Sequence, residues 1–68
     1  MRNEYLKEVG ATIQKVRKEK GISVRELGEL IEMDYSGLSR IETGQSNCRL
    51  LTLKKIADVL NVSIKVLL

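Results

Sequence analysis

A chain of 68 residues holds one domain, 1–68, and buries only about 60% of its unfolded surface on folding. One cysteine and no histidine exclude an intrachain disulfide and a Cys/His zinc site. A net charge of +3 allows a polyanionic partner without demanding one.

Leu6, Val9, Ile13 and Val16 recur at spacings of three and four, one face of a first helix over about 4–20. Asn3 stands where a cap is needed, and Lys18-Glu19-Lys20-Gly21 is a C-terminal signal. Ser23 opens a second helix to about Ile31, with Glu26 completing a capping box and Ile22 and Leu27 set as its hydrophobic staple. Gly28 sits in the middle of that helix at a cost of about 1 kcal/mol. A small residue there suits a steep crossing by the next helix.

Asp34 is placed to cap a third helix ending at Gly44, with Met33 and Leu38 as its staple. Gln45-Ser46-Asn47 reads as a polar loop. Leu50, Leu53, Ile56, Ala57 and Leu60 mark one face of a fourth helix, which Asn61 ends. Ser63 starts a short fifth, with Val62 and Leu67 as its staple. No segment alternates like a strand, so the fold class is all-α. The second and third helices, joined by about three residues, read as a helix-turn-helix over 23–44 rather than a hairpin.

Four stretches now carry a resemblance: Ile13-Gln14-Lys15-Val16-Arg17, Gly21-Ile22-Ser23, Leu38-Ser39-Arg40-Ile41-Glu42-Thr43-Gly44, and Ile56 to Ser63. Together they resemble the phage repressor and Cro family, also called the xenobiotic-response-element family, over Val9 to Leu68. The resemblance implies a five-helix, lambda-repressor-like bundle with its third helix in the DNA major groove. The implied base contacts are Tyr35, Ser36, Ser39 and Arg40. Arg40 suits bidentate bonding to guanine O6 and N7. Tyr35 suits a thymine methyl, a phosphate, or local packing beside Met33. Backbone contacts fall at the amides of Ser23 and Val24 and at Thr43, Gln45, Asn47 and Arg49. Arg17 and Glu42 are implied as a structural ion pair.

Some positions depart from the family pattern. Val24 stands where relatives carry a polar buttress, Glu32 where glycine is frequent, and Gly37 lies inside the recognition helix. The loop after Gly44 lacks the usual cation, which predicts modest non-specific affinity.

Apolar residues left over at the C-terminal end, Ile64, Val66 and Leu68, point to a homodimer interface, or to a surface that further chain after Val66-Leu67-Leu68 would cover. A two-fold dimer would place two recognition helices about 34 Å apart on a pseudo-palindromic operator. The expected function is sequence-specific binding of double-stranded DNA by a bacterial or phage regulator, a repressor or small controller protein. The competing reading is a protein-interaction or antitoxin module that keeps the fold with little DNA binding. Nothing suggests an enzyme, a cofactor, a metal or a small-molecule ligand: no base serves Cys48, and no phosphate loop is present. No run reaches the ~20 apolar residues of a membrane span, and no signal peptide opens the chain. The expected location is cytoplasmic.

Overall fold

The computed structural model describes residues 4–68. Its elements are α1 (Glu4–Glu19), α2 (Val24–Leu30), α3 (Tyr35–Glu42), α4 (Leu50–Leu60) and α5 (Ile64–Leu67). The described residues contain no strand, and Asn3 lies outside them. α1 packs against α3, α4 and α5, while α2 packs against α3 and α4. Every helix sends at least one side chain fully inside: Ile13, Leu27, Leu38, Ile56, Leu60 and Leu67. Each such burial contributes about 1.5–3 kcal/mol.

The helix starts follow local chemistry, with two exceptions. At α2 the Glu26 N–H donates to Ser23 Oγ, and the Ser23 N–H donates to Glu26 Oε1, both at 3.0 Å. At α5 the Lys65 N–H donates to Ser63 Oγ at 3.2 Å. The staple residues Leu27, Leu38 and Leu67 are buried, and Ile22, Met33 and Val62 pack partly buried against the core. Cys48 and Leu53 bracket the α4 start at the same spacing and pack inward too.

Asp34 is the first exception: its backbone sits at the N-cap, but its side chain makes no cap hydrogen bond. Its carboxylate accepts from the Ser36 hydroxyl instead, a competing local bond of the kind short polar side chains favour. Leu50 is the second. It lies 66% exposed, with Leu51 at 77%, at the start of a helix whose N-cap, Arg49, makes no side-chain cap hydrogen bond.

The four longer helices end in one way. Gly21, Glu32, Gly44 and Asn61 all have positive φ, between +58° and +79°. After each, an amide reaches back five residues: Ile22 to Arg17, Met33 to Gly28, Gln45 to Arg40 and Val62 to Ala57, at 2.8–3.1 Å. These are Schellman motifs, which satisfy the last carbonyls of each helix. Glycine or asparagine suits three of them; Glu32 does not, since a Cβ in this region costs about 1–2 kcal/mol. Glu32→Gly is therefore expected to raise stability by about 0.5–1 kcal/mol, after the entropy of the freer unfolded chain is subtracted. A rise in the urea midpoint at unchanged slope is the readout. An unchanged or lower midpoint would mean that the glutamate side chain is compensated where it stands.

Candidate nucleic-acid interface

Three contacts fix α3 on the rest of the protein. Arg17, in the last turn of α1, donates from Nε to Glu42 Oε2 at 2.7 Å and from Nη2 to Glu42 Oε1 at 3.0 Å. Its Nη1 donates to the Ile22 carbonyl at 2.8 Å. Both side chains are buried, and the two-pronged geometry is the strong form of this pair. The guanidinium also stands near the carboxyl ends of α1 and α3, where a cation is favoured.

The second contact is Gly28. A Cβ there would meet the Met33 carbonyl oxygen at 2.7 Å and the Tyr35 backbone at 3.5 Å. The turn carbonyl, more than the body of α3, is what the missing side chain accommodates. The third contact, Gly10, goes unread in the sequence. A Cβ at Gly10 would collide with the Ile41 carbonyl oxygen and stand 2.6 Å from that of Glu42. The signal was available: a glycine inside a helix costs about 1 kcal/mol and needs a reason.

Held this way, α3 buries Leu38, Ile41 and Glu42 and turns Tyr35, Ser36, Ser39 and Arg40 outward, all exposed. Spacings of three and four put these side chains on one face. No described carboxylate pairs with Arg40, so its fork of donors is unspent. The Ser36 hydroxyl, by contrast, is engaged with Asp34. Gly37 is half-buried, with Met33 Cε 3.3 Å from where its Cβ would stand. Its small size makes room for the staple.

One further residue belongs to this surface without a local sequence signal. The Arg25 guanidinium, on α2, lies over the Tyr35 ring at 4.6 Å from its centroid. Tyr35 therefore packs against a cation from the preceding helix, and Met33 is turned instead toward the core.

The expected backbone contacts are redistributed. The Ser23 N–H is spent on Glu26 within the capping box, so it offers nothing to a phosphate. Val24 is half-buried against the core, which leaves its first-turn amide as the available donor. The Thr43 hydroxyl donates inward to the Ser39 and Arg40 carbonyls at 3.1 and 3.2 Å. Gln45 is exposed just after α3. Asn47 and Arg49 line a cleft of about 310 Å³ with Glu32, Met33, Thr52 and Lys55. Cys48 between them is half-buried, and desolvation pushes its thiol above the usual value. That burial disfavours the thiolate, as suits a packing group.

At the C-terminal end Val66 and Leu68 are half exposed, as is Tyr5. The Tyr5 hydroxyl donates to the Leu68 carbonyl at 3.4 Å. Ile64 does not join that surface; it packs partly buried against the core, because a four-residue helix needs two inward residues to dock. No described helix is long and apolar enough to cross a membrane.

Comparison with known proteins gives a consistent set of relatives. The helix-turn-helix family profile matches residues 13–67. The HTH-type transcriptional regulator SinR of Bacillus subtilis is 43% identical over 61 residues, covering 88% of this chain and 55% of SinR. The chain thus spans about half the length of the regulators it matches by sequence. The crystal structure of the restriction-modification controller protein C.AhdI from Aeromonas hydrophila superposes with a TM-score of 0.93 at 29% identity. That superposition covers 97% of this chain and 100% of C.AhdI. SinR crystallised in complex with DNA gives a TM-score of 0.81 at 42% identity, over 87% of this chain and 95% of that one.

Proposed function

The chain belongs to the helix-turn-helix family of DNA-binding transcriptional regulators, and on that premise we propose that it reads an operator with α3 in the major groove. One observation carries the reading: α3 is locked on its inner face while Tyr35, Ser36, Ser39 and Arg40 stand exposed together on its outer face. A major groove about 12 Å wide admits one helix. Arg40, with no described carboxylate beside it, supplies the bidentate contact to guanine. Tyr35 and Ser39 meet neighbouring base edges.

Register on the duplex comes from the Val24 amide, Gln45, Asn47 and Arg49, with Thr43 and Ser23 contributing little because their donors are used internally. A second copy docks through the exposed Val66 and Leu68, giving a homodimer on a pseudo-palindromic site. SinR has been crystallised with DNA and C.AhdI is named a controller protein; a small cytoplasmic repressor or controller fits that company.

Selection of binding sites from random duplexes tests the whole reading. The expected product is a palindrome with half-sites about one helical turn apart. Arg40→Ala is expected to relax preference at a single guanine by about 1–3 kcal/mol. Recovery of no preferred sequence would overturn DNA reading by this chain. A preferred site without symmetry would overturn only the dimer.

A further inference from the structure

Arg25 and Tyr35 sit ten residues apart on different helices, yet the guanidinium lies over the ring, 4.6 Å from cation to centroid. None of the described ion pairs uses Arg25, so the ring is the partner it has. Three local features hold the stack in place. The Ser23–Glu26 capping box fixes the turn that carries Arg25. Gly28 lets α2 come within a methyl group's reach of the Tyr35 backbone. Tyr35 is the first residue of α3, so its ring hangs beside α2 and not over the body of its own helix. Val24, one residue before Arg25, is apolar and turned toward the core, and cannot orient a side chain on α3.

We propose that Arg25 is a positioning residue for Tyr35 in base recognition. The guanidinium covers one face of the ring and fixes it. Tyr35 remains 41% exposed, and its uncovered ring surface is presented to the C5-methyl of a thymine in the major groove. A planar, weakly hydrated guanidinium covers a ring face more fully than a compact, strongly hydrated ammonium. A ring already fixed also loses less rotamer freedom on binding. The inference rests on the reading that α3 enters the major groove, and adds to it a residue outside α3 that sets what α3 reads.

The test uses the selected operator with each thymine of a half-site replaced in turn by deoxyuridine, which removes the methyl group alone. The wild-type protein is expected to lose about three- to tenfold in affinity at one thymine, the scale of one buried methyl group. Tyr35→Ala is expected to abolish that discrimination. Arg25→Ala and Arg25→Lys are both expected to reduce it to less than twofold, and Arg25→Lys to do so with the salt dependence unchanged. A deoxyuridine penalty that stays at its wild-type size in both Arg25 variants overturns the proposal. If Arg25→Ala lowers the salt slope by about one while the deoxyuridine penalty keeps its wild-type size, Arg25 is a phosphate contact only and the proposal is overturned. A wild-type protein indifferent to every thymine methyl overturns it as well. A wild-type protein with no preferred sequence at all overturns the major-groove reading itself, and this inference falls with it.

Discussion

Glu42→Ala is expected to cost the protein about 3–4 kcal/mol, and Arg17→Ala more than that. Removing one member of a buried pair strands the other, at about 3–5 kcal/mol. The two deletions differ in what they strand. Without Glu42, the guanidinium keeps its bond to the Ile22 carbonyl. Without Arg17, both the buried Glu42 carboxylate and the Ile22 carbonyl lose their donor, adding about 1–3 kcal/mol for the orphaned carbonyl. Total stability for a chain of this length is of the order of 3–10 kcal/mol, so either variant is expected to lose a third or more of it. Arg17→Met with Glu42→Leu is expected to recover most of the loss, since an apolar pair of similar volume needs no partner charge. Urea unfolding of the four proteins reads the two losses and the recovery directly. A loss below about 1 kcal/mol for Glu42→Ala, or a smaller loss for Arg17→Ala than for Glu42→Ala, contradicts the account.

What the sequence revealed and what it hid divide along a physical line. The α2 start was legible because the capping box lies within four consecutive residues, Ser23 to Glu26, whose chemistry needs no tertiary partner. The Gly21 and Gly44 ends were legible for the same reason. Asp34 does not serve as the expected side-chain cap because a second short polar residue, Ser36, competes for its carboxylate. Periodicity put Leu50 on the core face of α4, but periodicity gives an angle around the helix and not a position along it. Ile64 was assigned outward for want of knowing how α5 docks. The recognition face was reached by resemblance and not by spacing. Arg25 escaped both, because its stack on Tyr35 depends on where α2 crosses α3.

Gly10, unlike Arg25, carries a sequence signal as a glycine inside a helix, though its partner is equally tertiary, and its replacement is the other large effect expected. On an exposed helix face, glycine to alanine gains about 1 kcal/mol of helix propensity. At Gly10 the sign is expected to reverse, with Gly10→Ala losing about 2–3 kcal/mol. The new Cβ would meet the Ile41 and Glu42 carbonyls, which are backbone and cannot swing aside as a side-chain tip can. Overpacking of this kind typically costs about 1–3 kcal/mol, and here it also pushes apart the two helices that Arg17 and Glu42 join. Gly10→Ser is expected to lose more, and Ala11→Gly, at the exposed neighbouring position, only the propensity difference. Thermal and urea melts of the three variants give the ordering. A Gly10→Ala protein more stable than the parent would mean α1 and α3 stand further apart than the structure has them. The functional consequence follows from the same displacement. Under conditions where Gly10→Ala remains folded, α3 is shifted relative to α1 and its outer face no longer meets the groove in register. Operator affinity is then expected to fall by more than the folded fraction accounts for. If affinity tracks the folded fraction alone, Gly10 sets stability without setting the position of the recognition helix.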